Sequence, residues 1–368
     1  ATRPDGSPAR VLMIDRYALG ERQTSACGIP TAWLEALELM DSVRQTFSEL
    51  VFATAHGTSR WPLPWTLSTF DYRELCALLF GQSDCDFEIA KVDGRSGETV
   101  HTDRGDLTAP LVVDALGWQR VLAPDAGYRP PAAPLSRGLE VHPSGESDDL
   151  AVWIDRRIVP AGGAWSFPAG DELRIGVGSF DPRFHVKDST VKLAEEHASE
   201  AAPRAGPRRP AAEGSASGRP PRHSFQGNWI PHRLRPAVED GVFFAGDSAG
   251  HCLPLTAEGI RTAFYFGIAC GRELRQVVAG ARTREDALRR YGAFSDSHEW
   301  KYRWMLRAQR AVPRVWPPAL QTVVRTMQHR RLTGWAFAYY LAIAPPDFAG
   351  PAPTPRLRPG RVPEPSAV

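Results

Sequence analysis

One stretch constrains this chain more than any other. Gly241 to Gly267, GVFFAGDSAGHCLPLTAEGIRTAFYFG, reads as a buried strand, a tight turn carrying an acid, and a helix opening on glycine. Gly246 to Gly250 matches G-x-S-x-G literally, the strand-turn-helix elbow that exposes a serine nucleophile. That chemistry needs the helix to begin right after Ser248. Pro254 opposes it, because a proline there would fall in the first turns of such a helix, removing a backbone donor and clashing with the preceding turn. An oxyanion hole should also lie upstream, yet the paired glycines Gly162 and Gly163 lack the histidine of the usual motif. His251 is near Ser248 in sequence, which says nothing about a triad. A serine esterase on Ser248 and a plain strand-turn-helix connection are the competing readings from other classes.

The same residues fit a second pattern in order. Asp247 ends the strand, Pro254 follows seven residues later, and Gly259-Ile260 opens the helix. A helix N-terminus offers unpaired N–H groups and positive partial charge, and Gly259 lets backbone approach a ligand closely. Together with Gly246, this segment resembles the second flavin motif of FAD-dependent oxidoreductases in the geranylgeranyl reductase and aromatic hydroxylase superfamily. The resemblance implies that Asp247 holds the ribityl chain of FAD, with Pro254, Gly259 and Ile260 at the flavin pyrimidine.

Two upstream segments add to it. The apolar strand from Ala109 to Val113 ends in Asp114-Ala115-Leu116-Gly117, resembling the D-A-x-G segment that leads the family chain over the cofactor. Arg10 to Arg16 reads as a short buried strand ending in an acid, the position that binds adenosine ribose hydroxyls in dinucleotide folds, so Asp15, with Arg16 beside it, is a cofactor candidate. A Gly-rich turn is expected about 20 residues before that acid, and only Ala1 to Arg10 precede the strand. The chain is therefore expected to be a fragment or a late start lacking G-x-G-x-x-G, and to bind FAD weakly or not at all. Cys27-Gly28 resembles a Cys-Gly pair that the family places near the flavin. Cys27 is thus a cofactor-side and catalytic candidate, although a free cysteine is most often a small buried hydrophobe.

The most discriminating segment is Gly163-Ala164-Trp165-Ser166-Phe167-Pro168, followed after seven intervening residues by Gly176-Val177-Gly178. It resembles the geranylgeranyl reductase pattern Y-x-W-x-F-P with a trailing G-x-G, Gly163 standing where the family has tyrosine. The resemblance implies a long apolar pocket beside the flavin. Trp165 and Phe167 would share one face of a strand, Pro168 would follow them, and Gly176 and Gly178 would leave space for substrate. Ordinary core packing is the bland alternative. Flavin halogenases carry a related W-x-W-x-I-P, which this chain does not match.

Composition agrees without deciding. A net charge of +2 over 368 residues gives no electrostatic case for nucleic acid. Five cysteines without a C-x-x-C pair fit a reducing cytosol, and the histidines show no metal-ligand spacing. We expect helices from Thr31 to Met40, Phe70 to Phe80 and Ala287 to Arg310, a hairpin from Phe87 to Val100, and an antiparallel region from Leu139 to Phe180. Order is expected to return as a strand at 225–231. The run from Leu332 to Ala344 is too short to span a bilayer, which takes about 20 residues. It reads as a buried helix, with membrane-interface contact beside its basic flank as the alternative.

The resemblance covers about residues 10 to 300 and implies a glutathione-reductase-like fold. A Rossmann-type α/β FAD-binding domain (1–45, 70–125 and 233–285) would be interleaved with an antiparallel β-sheet substrate domain (46–69 and 126–232, with a mobile insert at 199–222). C-terminal helices (286–345) and a disordered tail (346–368) would follow. The function expected is an FAD-dependent oxidoreductase transferring hydride to a hydrophobic, isoprenoid-like or polycyclic substrate, with NAD(P)H as donor, in the cytoplasm or at a membrane. A flavin monooxygenase or halogenase and a non-catalytic flavoprotein remnant are the alternatives.

Overall fold

The computed structural model describes residues 2–123, 134–200 and 224–350. Its frame is an eight-stranded sheet ordered Phe225–Pro231, Leu135–Val141, Leu173–Ser179, Gly162–Pro168, Ala151–Ile154, Val43–Thr54, Gly57–Phe70, Gly28–Pro30. Neighbours are antiparallel except Ala151–Ile154, which runs parallel to Val43–Thr54. Alternation in Gly162–Pro168 buries Ala164, Ser166 and Pro168 and leaves Gly163, Trp165 and Phe167 more open on the other face. The expected antiparallel region and the strand at 225–231 are both present. Gly28–Pro30, assigned from sequence to the cofactor side, is instead an edge strand of this sheet.

The other side of the molecule is mixed α/β. Leu12–Asp15 pairs parallel with Asp86–Ile89, so 87–100 is not one hairpin: its first part joins the N-terminal strand, and its remainder enters a meander of Val92–Ser96, Thr99–Thr102 and Gly105–Thr108. Val242–Phe244 runs parallel to Val113–Asp114 and antiparallel to Val238–Glu239. It is buried throughout, whereas Val11, Leu12 and Met13 are largely exposed, so the N-terminal strand is not the buried one its sequence suggests.

Helices lock the two sides together. Ile260–Val278 buries Tyr265 and Phe266 in a core shared with Trp33, Leu34 and Phe70, and Ala269 and Cys270 in a second core with Phe243 and Phe244. Thr31–Ala36 stops short of Met40, and the helix expected over 287–310 is two, Arg284–Asp296 and Glu299–Ala311. Pro317–Thr326 and Arg330–Leu341 complete the helical region. The first residues of the expected disordered tail are ordered, because Pro346–Ala349 forms a turn and the Phe348 ring lies 4.3 Å from that of Tyr265. The expected insert lies almost wholly outside the described residues, as does the tail from residue 351.

Candidate functional site

The strand Val242–Phe244 runs into a single turn, Gly246–Ala249, bracketed by two left-handed glycines, Gly246 at φ 58° and Gly250 at φ 67°. Gly250 is also required sterically, since a Cβ there would meet the Arg233 carbonyl oxygen at 1.9 Å. The turn is held from beneath by arginines that sequence reasoning missed. Arg120 is buried, donates to Ser248 O at 2.7 Å and Glu239 Oε2 at 2.7 Å, and packs its guanidinium 3.6 Å from the Phe244 ring centre. Arg235 donates to Trp118 O at 2.6 Å, while its backbone N–H donates to Ala249 O at 3.0 Å. Nothing in a single sequence distinguishes these arginines from the many on the surface.

Ser248 is not a nucleophile. It is fully buried, and its hydroxyl donates to Asp114 Oδ1 at 2.7 Å. His251 Nε2 bonds Ser295 Oγ instead, at 3.1 Å, and the long helix starts only at Ile260. These facts overturn the esterase reading. They also revise Asp114, whose carboxylate accepts from Ser248, Leu116 N and Leu122 N and is thereby committed to holding the turn. Gly117, three residues on, sits at φ 84° with no atom within 4 Å of a would-be Cβ, so it is needed for its backbone conformation and faces open space.

Asp247 stands differently. Its carboxylate accepts no hydrogen bond from any described residue, and burial pushes that carboxyl up to about 6, against a smaller opposing pull from Arg235. Its Oδ1 lies 3.8 Å from where a Cβ on Gly259 would be. Gly259 starts the helix Ile260–Val278 with no side-chain cap, leaving the first N–H groups available. The loop between them contains Pro254 and carries two non-glycine residues at positive φ, Leu255 at 69° and Ala257 at 52°, conformations that persist only when surroundings impose them. Gln309 supplies part of that by accepting from Leu255 N at 2.7 Å. Cys252 is buried, which pushes its thiol well up.

Arg16, Gly117, Trp118, Gly138 and Trp229 line one cleft of about 320 Å³, so two of the expected cofactor residues meet there. Asp15 is not among its lining residues. Its carboxylate accepts from Tyr17 N at 2.9 Å, and Arg16 and Arg22 stack on the Tyr17 ring.

Cys27 is a core residue, which corrects its catalytic assignment. It is fully buried at φ 55°, its Sγ donates to Ser25 O at 3.2 Å, and burial raises its pKa far out of the range where a thiolate forms. Its loop is pinned by buried Arg174, which donates to Ala26 O at 3.0 Å and Phe70 O at 2.9 Å. Gly28 lies flat under Phe167, where a Cβ would approach the ring to 2.9 Å and Leu67 to 3.3 Å. Cys27-Gly28 and Phe167, 139 residues apart, therefore meet.

Trp165 corrects the reading of the glycines. A Cβ on Gly176 would fall 2.3 Å from its indole and one on Gly178 3.3 Å. Gly176 and Gly178 thus make room for Trp165 itself, not for a substrate. The indole N–H donates to buried Glu140 at 3.1 Å, fixing the ring in that trough. Pro168 is buried and accepts from Thr69 Oγ1 at 2.7 Å through its carbonyl.

The unpartnered acid, the uncapped helix start and the open Gly117 fit the flavin end of FAD. No family model matches the chain. Digeranylgeranylglycerophospholipid reductase 2 of Methanosphaera stadtmanae is 25% identical over 155 residues, 42% of this chain and 36% of that protein. Reductase 3 of the same organism is 23% identical over 319 residues, 79% of this chain and 77% of that protein. The match thus spans just over a third of the first relative's length and just over three quarters of the second's. Among solved structures, a geranylgeranyl bacteriochlorophyll reductase-like protein of Thermoplasma acidophilum superposes with a TM-score of 0.71 at 14% identity, covering 92% of this chain and 91% of that one. The flavin-dependent brominase Bmp2 superposes at 0.54 and 14% identity, covering 90% and 92%. At such identities the structural likeness establishes the fold.

Proposed function

We propose that this chain is an FAD-dependent oxidoreductase of the geranylgeranyl reductase family that reduces carbon–carbon double bonds of a hydrophobic, isoprenoid-like or polycyclic substrate by hydride transfer. The observation that carries the reading is the Asp247 carboxylate, partly buried, without a partner among the described residues, and facing the uncapped helix start at Gly259. A desolvated acid in that position is costly by itself and is compensated by hydroxyl donors such as those of a ribityl chain. The mixed α/β side would then be the Rossmann-type, glutathione-reductase-like half of the molecule.

Bound FAD would supply the hydride chemistry. The chain's own part is to bind, orient and shield. N–H groups at the start of Ile260–Val278 favour an electron-rich ring edge. Gly246 and Gly117 let backbone turn beside the cofactor, and Asp15 with Arg16 is assigned to the adenosine ribose. Phe167 and Leu67, packed over Gly28, offer the apolar wall, with Trp165 behind as support. NAD(P)H is the proposed electron donor.

Flavin content tests this. Asp247→Ala should lower the flavin-to-protein ratio after desalting, whereas Ser25→Ala, in the Cys27 loop, should leave it unchanged. Equal flavin content in wild type and Asp247→Ala would overturn the assignment. The brominase likeness favours one alternative, an oxygen-dependent hydroxylation or halogenation. Substrate turnover that persists without oxygen supports the reductase, and turnover that requires oxygen supports the alternative.

A further inference from the structure

We propose that the C-terminal helical region docks this protein on the surface of an anionic lipid bilayer. The inner faces of its helices are accounted for. Tyr302, Leu306 and Gln309 of Glu299–Ala311 are buried, as are Gln321 and Val324 of Pro317–Thr326. In Arg330–Leu341, Thr333 is buried and Phe337 packs its ring 5.5 Å from Trp65. The outer faces are another matter. Trp300, Trp304, Trp316, Trp335 and Tyr339 are each between 60% and 70% exposed, and they include every large exposed aromatic among the described residues. Spacing makes them stripes: Trp300 and Trp304 are one turn apart, and Leu332, Trp335 and Tyr339 follow at i, i+3 and i+7. The Trp335 and Tyr339 rings touch at 5.0 Å. Lys301 Nζ donates to Ala342 O at 3.4 Å, joining the two striped helices.

Charge identifies the occupant. From Trp300 to Pro346 there are eight Lys and Arg and no Asp or Glu, in a chain whose total is only +2, so the remainder carries −6. Arg303, Arg307, Arg310, Arg314, Arg325, Arg330 and Arg331 are all exposed, with Arg303 sharing Glu299 at the rim. Tryptophan and tyrosine among cations match the headgroup layer of a bilayer, where an amphipathic ring buries its body and keeps its polar edge wet. A second copy of this chain fits poorly, since a two-fold contact would set eight cations against eight. No helix among the described residues is long and apolar enough to cross a membrane, so the contact lies along the surface. From its inner side the same helix reaches the candidate site, where Tyr340 donates to Glu258 beside Gly259.

The inference goes beyond the flavin reading and stands apart from it. Its test is flotation of the full 368-residue chain with phosphatidylcholine vesicles, with and without phosphatidylglycerol. Binding to the anionic vesicles only, a blue shift of tryptophan emission and release by salt are expected. Trp335→Ser with Tyr339→Ser should weaken binding about tenfold or more, and Arg330→Gln or Arg331→Gln about fivefold each. Thermal midpoint and flavin content should not move, because these side chains point to water. Equal binding to neutral vesicles, no binding to either kind, or a concentration-dependent dimer abolished by the same substitutions would overturn the proposal.

Discussion

Around the turn Gly246–Ala249, polar contacts reach far along the chain. Arg120 meets Ser248 across 128 positions, Ser248 meets Asp114 across 134, and Tyr302 donates to the carbonyl of His251 across 51. Around Asp15 the side-chain contacts are local, with Tyr17 N donating to its carboxylate two residues away and Arg22 reaching Tyr17 five away, while the Asp15 carbonyl accepts from Ala90 N through the strand pairing. The first end is buried and specified by the whole fold. The second is a solvent-facing strand end, tied by its backbone to residues 86–90 and ordered in its side chains by near neighbours. Both are ends of the dinucleotide site proposed above, and the contrast is one of side-chain cross-linking: dense at the proposed flavin end and sparse at the proposed nucleotide end.

The sharpest way to break this contrast is Arg120→Ala. It leaves the Ser248 carbonyl and the part-exposed Glu239 carboxylate without their buried partner, a loss of about 3 kcal/mol, the low end for breaking a buried pair because Glu239 stays in reach of water. Denaturant unfolding should show a loss of that size, with lower flavin content.

Acid should also discriminate. Burial holds His251 near 3 and His232 near 4, both below the ordinary 6.5 of an unfolded histidine. Their neutral forms therefore contribute stability that is fully present above about 6.5 and lost as pH falls toward those values. At pH 4, His251 alone accounts for about 3 kcal/mol. A pH series of unfolding midpoints should decline from neutrality downward, and His251→Phe, which keeps the stack on Phe266, should make that decline shallower.

Gly176→Ala should be milder, about 1–3 kcal/mol, because the new methyl displaces the Trp165 indole from its trough. Quenching of tryptophan fluorescence by iodide would report the displaced ring, and an unchanged spectrum would show that the trough has slack.

Smallest of all should be Arg16→Gln. Its stacking on Tyr17 is solvent-exposed and worth less than about 1 kcal/mol, so unfolding should barely change. A loss comparable to that of Arg120→Ala would erase the distinction between the two ends.

Much of the architecture was legible from pattern. Alternation revealed the strand carrying Trp165 and Phe167, and Pro254 before Gly259 placed the start of the long helix, because proline and glycine act through the backbone wherever they stand. Partnering was not legible. Val11 to Met13 look like a core strand by hydrophobicity and are exposed, since burial depends on what lies against a strand. The helix over 287–310 breaks at Ser297-His298, where no proline or glycine marks the change.

The sequence by itself determined the identity of the turn, the acid at Asp247, the glycine at the helix start and the excess of cations from Trp300 onward. These are properties of residues and short spacings. Tertiary structure alone decided which polar groups were committed and which were left over. Asp114 and Asp247 both follow apolar strands and look alike in sequence, yet one carboxylate accepts three hydrogen bonds and the other accepts none from the described residues. Likewise Gly176 and Gly178 signal empty space in the sequence, while the fold fills it with Trp165. A residue's capacity to bind is chemical and local, whereas its availability depends on atoms that arrive from distant parts of the chain.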